Sequence, residues 1–236
     1  MLFTPATGVT VQFEPQIVTP IALPLWIDLG AVAVGAIYGA TLATSRKAPL
    51  VGVLFMGMLL GFGGSIIRDL LLNAPINPLM QSRYVPTAAF FSIVGAVIGN
   101  QILKFKKVFY GLDAVVIGMF VVIGAEKALI FGMPLGSVIF IGTLTAIGGG
   151  ILGDVLTGKT PDIMSRGPWL ASVALFGAIW FVFWYELGVI QFAELSTIAI
   201  VIAIRGMSLW RGWDAPMPDD LKPKVWVERT RRLKHK

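Results

Sequence analysis

The sequence predicts an all-α polytopic membrane protein of seven transmembrane helices, arranged as two inverted three-helix repeats plus a seventh helix. Three observations carry that prediction. The 236-residue chain is 56% hydrophobic and 14% charged with a mean hydropathy of +0.81, whereas about a quarter of residues are charged in a soluble domain. Seven apolar stretches approach the roughly 20 residues that a bilayer-spanning helix needs. The chain also repeats itself: a shift of 85 residues aligns 28–72 with 113–157 without a gap, and 15 of the 45 pairs are identical. They include Asp28/Asp113, Gly39/Gly124, Pro49/Pro134, Gly57/Gly142, Gly63/Gly148, Gly64/Gly149 and Asp69/Asp154. Each copy holds an odd number of spans, so the second is expected to enter the bilayer upside down, a signature of transporters and channels.

Residues 1–22 contain no Lys or Arg and so lack the charged region of a cleaved signal peptide. They read as an extracytoplasmic segment, and the first span, about 23–44, as a retained helix. The second span, 50–72, follows Pro49 and contains Gly61-Phe62-Gly63-Gly64-Ser65-Ile66-Ile67-Arg68-Asp69. The third and fourth fall at 85–103 and 108–125. The fifth, 134–156, contains Gly148-Gly149-Gly150-Ile151-Leu152-Gly153-Asp154. The sixth and seventh are expected at 168–187 and 192–209, so the repeats cover about 23–103 and 108–187 within a transmembrane domain of 23–210. The prolines of 75–78 and 160–162 read as loop punctuation. Trp26, Tyr84, Tyr110, Trp169, Tyr185, Trp210 and Trp213 sit near span ends, where amphipathic rings anchor to the interface.

Of the 19 Lys and Arg residues, 16 fall in the first, third and fifth loops and the tail. Because cytoplasmic loops retain positive charge, the N-terminus is expected outside and the C-terminus inside. The basic tail, 211–236, is read as a solvated, lipid-facing end rather than a nucleic-acid site. With no cysteine, and one histidine, His235, in the tail, the sequence offers no metal site, no cofactor and no redox chemistry. The spans hold neither histidine nor a nucleophile elbow, which argues against an enzyme.

The glycine clusters are the strongest candidates for chemistry. A glycine costs about 1 kcal/mol relative to alanine within a helix, and a break in hydrocarbon survives only inside a bundle or beside water. Breaks in the second and fifth spans are expected, with freed carbonyls and half-helix N-termini forming a solute site from Gly61, Gly63, Gly64, Ser65, Gly148, Gly149 and Gly150. Close helix packing is the plain alternative. Asp69 and Asp154 lie at equivalent positions, and intramembrane carboxylates mark function by default. Neighbouring helix residues do not face each other, so Arg68 is expected to reach across to Asp154 rather than to pair with Asp69. Lys127, equivalent to Leu42, either snorkels or points inward to gate a pore or balance a carboxylate. Asp28 and Asp113 are expected to be helix N-caps.

Asp69 with its preceding glycines, the parallel Asp154 motif and Gly124-Ala125-Glu126-Lys127-Ala128-Leu129 resemble bacterial glycine-transporter-domain membrane proteins, relatives of the trimeric intracellular cation (TRIC) channels. The resemblance covers about 25–210. It implies seven helices, kinked second and fifth helices, and a homotrimer in the bacterial or archaeal cell membrane with one pathway per subunit. Gly153 stands where family members often repeat the arginine of Arg68. The expected function is permeation of a small solute, glycine or a similar amino acid, with a K⁺/Na⁺ channel as the alternative; a non-transporting structural subunit would not require the doubled glycine motif.

Overall fold

A computed structural model describes residues 25–165, 167 and 169–213. The expected N-terminal segment and nearly all of the basic tail lie outside them. Among the described residues the chain is all-helical: α1 Leu25–Ser45, α2 Leu50–Leu71, α3 Asn77–Met80, α4 Tyr84–Lys104, α5 Lys106–Ile130, α6 Leu135–Leu156, a 3-10 turn at Asp162–Met164, α7 Ala171–Glu186 and α8 Ile190–Arg211. Six of these are long and apolar enough to cross a membrane, and α7 is a shorter apolar helix of 16 residues. At about 1.5 Å per residue, α7 alone falls short of a hydrocarbon core of about 30 Å. The fourth span runs to Ile130, past its expected end at 125, which places Glu126 and Lys127 inside α5. The loop expected at 75–78 runs into the short helix α3, which begins at Asn77.

Local chemistry sets equivalent boundaries in the two sequence repeats. Pro49 and Pro134, whose fixed φ suits a helix entrance, precede α2 and α6 in extended conformation. At the other end, Asn73 and Gly158 take positive φ of 49° and 70°. These are residue types that tolerate the left-handed region, and they let the next N–H turn back: Ala74 N–H donates to the Asp69 carbonyl and Lys159 N–H to the Asp154 carbonyl, both at 2.8 Å.

The expected breaks in α2 and α6 do not occur, because helical structure runs unbroken through both glycine clusters. Small residues instead allow close approach, as lipid-embedded helices need where no hydrophobic force drives them together. Helices α2 and α6 cross antiparallel. A methyl group on Gly63 would lie 3.4 Å from Gly149 Cα, one on Gly149 2.9 Å from the Leu59 carbonyl oxygen, and one on Gly64 would collide with the Thr145 carbonyl. Gly148 faces Gly64 and Ile67, whereas Gly61 packs on α1 against Val32 and Ala36. The repeat also extends to packing: a methyl on Gly57 would lie 3.0 Å from the Ala36 carbonyl oxygen as one on Gly142 would lie 3.1 Å from that of Val121, and Gly39 faces Gly57 as Gly124 faces Gly142.

Candidate functional site

Two charge clusters close opposite ends of the bundle, because Asp69 and Asp154 each lie five residues beyond the glycine crossing of two antiparallel helices. That offset separates them by about 15 Å of helix rise. Asp69 is fully buried. Its Oδ1 accepts from Arg68 Nε at 2.7 Å and from Lys127 Nζ at 2.8 Å. Its Oδ2 accepts from the Asn77 backbone N–H at 3.1 Å. At the other end Asp154 Oδ1 accepts from Arg46 Nη2 at 3.1 Å and Oδ2 from the Asp162 backbone N–H at 3.2 Å. Asn77 and Asp162 are related by the same 85-residue shift, so both carboxylates are steadied by the loop that follows their own helix.

Several expectations therefore change. Arg68 pairs with its neighbour Asp69 and not with Asp154, which is at the far end. The neighbour rule concerns Cβ directions, and a guanidinium on a long stem at a helix end can turn back to the next carboxylate. Asp154 is held instead by Arg46, missed in the sequence although it lies one turn after Leu42, the position equivalent to Lys127. Neither Asp28 nor Asp113 is an N-cap. Asp28 lies within the first turn of α1 and accepts from the Tyr84 hydroxyl. Asp113 lies well inside α5, where it pairs with Arg205 of α8 at 2.8 Å. Lys127 points inward to Asp69, the second of its two expected roles.

Each end also has a cavity. At the Asp69 end, about 350 Å³ is bounded by α1, α2, α4 and α5 with the α3 segment, and its lining includes Asp28, Arg68, Gln81, Tyr84, Glu126 and Lys127. Two buried polar atoms here lack hydrogen-bond partners, Arg68 Nη1 and Asp28 Oδ1. Glu126 is 5% exposed and shares a side-chain hydrogen bond with another carboxyl, that of Glu194 on α8. At the Asp154 end a narrower cavity of about 70 Å³ includes Tyr38, Gly64, Asp113, Gly149, Gly150, Asp154, Asp162 and Arg205 in its lining. Asp162, outside the spans, has its carboxyl held above the usual range, first by burial and then by the charge of Asp154, with Arg46 opposing. The cavities share no lining residue. Between them on α5 stand buried Phe120 and Ile123, packed with Ala31.

The predicted residues thus divide. Gly63, Gly64, Gly148 and Gly149 meet at the crossing. Gly64, Gly149, Gly150 and Asp154 line one cavity, and Arg68 and Lys127 the other. Gly61 belongs to the α1 contact, and Ser65 is buried with an unpartnered hydroxyl but lines neither cavity. Asp28, Arg46, Asp113, Glu126, Asp162 and Arg205 complete the two clusters.

This arrangement defines a class, an all-helical integral membrane protein with the TRIC fold. A structure of a TRIC cation channel superposes with a TM-score of 0.74 at 29% identity, covering 84% of this chain and 97% of that one. The TRIC orthologue from Rhodobacter sphaeroides superposes at 0.73 with 28% identity, covering 79% and 97%. More particularly, the chain belongs to the family described as Glycine transporter, whose model matches twice, over residues 25–100 and 110–186. It is 33% identical over 160 residues to a UPF0126 membrane protein of Deinococcus radiodurans, covering 66% of this chain and 74% of the relative. It is 30% identical over 188 residues to the UPF0126 inner membrane protein YadS of Escherichia coli, covering 78% and 90%.

Proposed function

We propose that the protein moves a small zwitterionic amino acid, glycine or one of similar size, through the interface of two inverted repeats, with a charge cluster at each end of the path. The observation that carries this reading is the set of unmet groups at the Asp69 end. A buried donor without a partner costs about 1–3 kcal/mol. Here Arg68 and Asp28, each carrying one unpartnered buried polar atom, and Glu126 all contribute to the lining of one cavity. A carboxylate at Arg68 and an ammonium group at the acids would satisfy both kinds at once. A bare cation would leave Arg68 unmet and stand beside Lys127. The antiparallel crossing of α2 and α6 and their matched glycine contacts support inversion. The Lys and Arg bias supports placing the Asp69 end outside and the Asp154 end in the cytoplasm. Phe120 and Ile123 shut the path between the cavities, so a cycle requires their movement.

A TRIC-like monovalent cation channel is the second reading. It is favoured by the likeness to TRIC channels and by Asp113, Asp154 and Asp162 around the narrower cavity. The trimeric relatives support a homotrimer with one path per subunit. In sealed proteoliposomes, the leading reading expects saturable uptake of radiolabelled glycine with little K⁺ current, and loss of that uptake in Arg68→Gln. K⁺ current that persists without glycine and survives Arg68→Gln would establish the channel instead.

A further inference from the structure

A third cavity stands apart from the path. It is a groove of about 530 Å³ between α5 and α8 at the Asp154 end, lined in part by Lys106, Lys107, Tyr110, Gly111, Gly206 and Trp210. We propose that this groove binds an anionic glycerophospholipid, its phosphate on the two lysines and an acyl chain along the glycines.

The shape of the groove follows from where the helices touch. Deeper in the bundle α5 and α8 are in contact, Gly118 lying 3.3 Å from Ile198 by its would-be methyl, and the Asp113–Arg205 pair ties the helices together. Toward the lysines they part. A methyl on Gly111 or Gly206 would meet nothing within 4 Å, so these glycines are not needed for helix contact and instead leave the wall smooth and open. Among the described residues the mouth is electrically one-sided: both lysines are exposed, the first turn of α5 has no acid, and neither lysine has an ion-pair partner. Exposed Tyr110 and Trp210, the latter 81% exposed, flank them as rings do at headgroup depth. Basic groups beside an apolar slot fit a phosphodiester with a tail, and the leaflet facing this basic end is the one rich in anionic lipid.

Native mass spectrometry of the full-length protein titrated with phosphatidylglycerol or phosphatidylcholine tests the inference. Phosphatidylglycerol should be retained preferentially. Lys106→Ala with Lys107→Ala should weaken it by about 30-fold, two charges near an anionic surface, while phosphatidylcholine binding stays unchanged. Gly206→Leu, which fills the groove and keeps both lysines, should weaken both lipids. Equal retention of the two lipids, or phosphatidylglycerol binding untouched by either variant, would overturn it. So would a change in protomer number in Gly206→Leu with lipid binding intact, which would place a second copy in the groove.

Discussion

The Asp69 and Asp154 ends share a backbone frame and differ in side chains. In both, a carboxylate five residues past paired glycines accepts a backbone N–H from the loop eight residues on, and its own carbonyl closes the helix end. At one end two cations, Arg68 and Lys127, converge on a fully buried Asp69. At the other, Gly153 replaces the arginine, and among the described residues a partly exposed Arg46 from beyond α1 supplies the one paired cation. The difference teaches that a duplicated helical frame can keep the positions of its acids while each end takes its cations from different places. The Asp69 end has become a locked cluster beside a roomy cavity, and the Asp154 end a lighter latch over a narrow one.

The largest contrast is expected from removing each carboxylate. Asp69→Asn strands two cations, one of them buried, and should cost about 3–5 kcal/mol, read as a large drop in thermal unfolding temperature in detergent. Asp154→Asn removes one pair whose arginine is partly exposed and should cost less, about 1–2 kcal/mol. Equal losses would erase the distinction between lock and latch. A smaller contrast lies at the crossing. Gly64→Ala drives a methyl into the Thr145 carbonyl, which belongs to a helix backbone that cannot yield cheaply, and should cost about 1–3 kcal/mol with loss of flux. Gly150→Ala, two residues after the α6 contact and with open space around it, should be neutral or stabilising by up to about 1 kcal/mol. Breaks in both helices would instead make both variants harmful.

The smallest effect is electrostatic and belongs to the Asp154 end alone. Burial and Asp154 raise the Asp162 carboxyl above its ordinary range, so the folded state disfavours its charged form. Stability from this group is present in acid and is lost as pH rises through the raised value. Asp162→Asn should therefore raise the unfolding temperature slightly at neutral pH, and the gain should vanish when the pH falls below the ordinary carboxylate range. A gain of the same size at both pH values would assign it to something other than charge.

Much of this frame was legible in the sequence. The 85-residue shift and the apolar stretches located the helices, and the paired glycines located the crossing. What failed is instructive: two or three consecutive glycines read as a break, yet the bundle uses the small profile of Gly63, Gly64 and Gly149 for backbone contact while the helical hydrogen bonds persist. Ion pairs were harder, because partners such as Arg46 and Asp154 stand 108 residues apart and long side chains escape helical-face rules. The repeat held one unused signal. Lys127 is equivalent to Leu42, and a search for a cation one turn away would have reached Arg46. Glu126 lies in the 124–129 segment beside Lys127, but the first repeat has Thr41 at the equivalent position, so the repeat gave the acid no signal of its own.

The central claim is that the two cavities belong to one path and open on opposite sides of the membrane. Because the chain has no cysteine, single-cysteine variants can read this directly. The measurement is labelling of Gln81→Cys and Gly150→Cys by a membrane-impermeant thiol reagent added to one side of sealed vesicles, with glycine uptake recorded before and after. The account predicts that Gln81→Cys reacts only from outside and Gly150→Cys only from the cytoplasmic side, each reaction blocking uptake. Reaction of both from the same side, or labelling at both that leaves uptake intact, would contradict it.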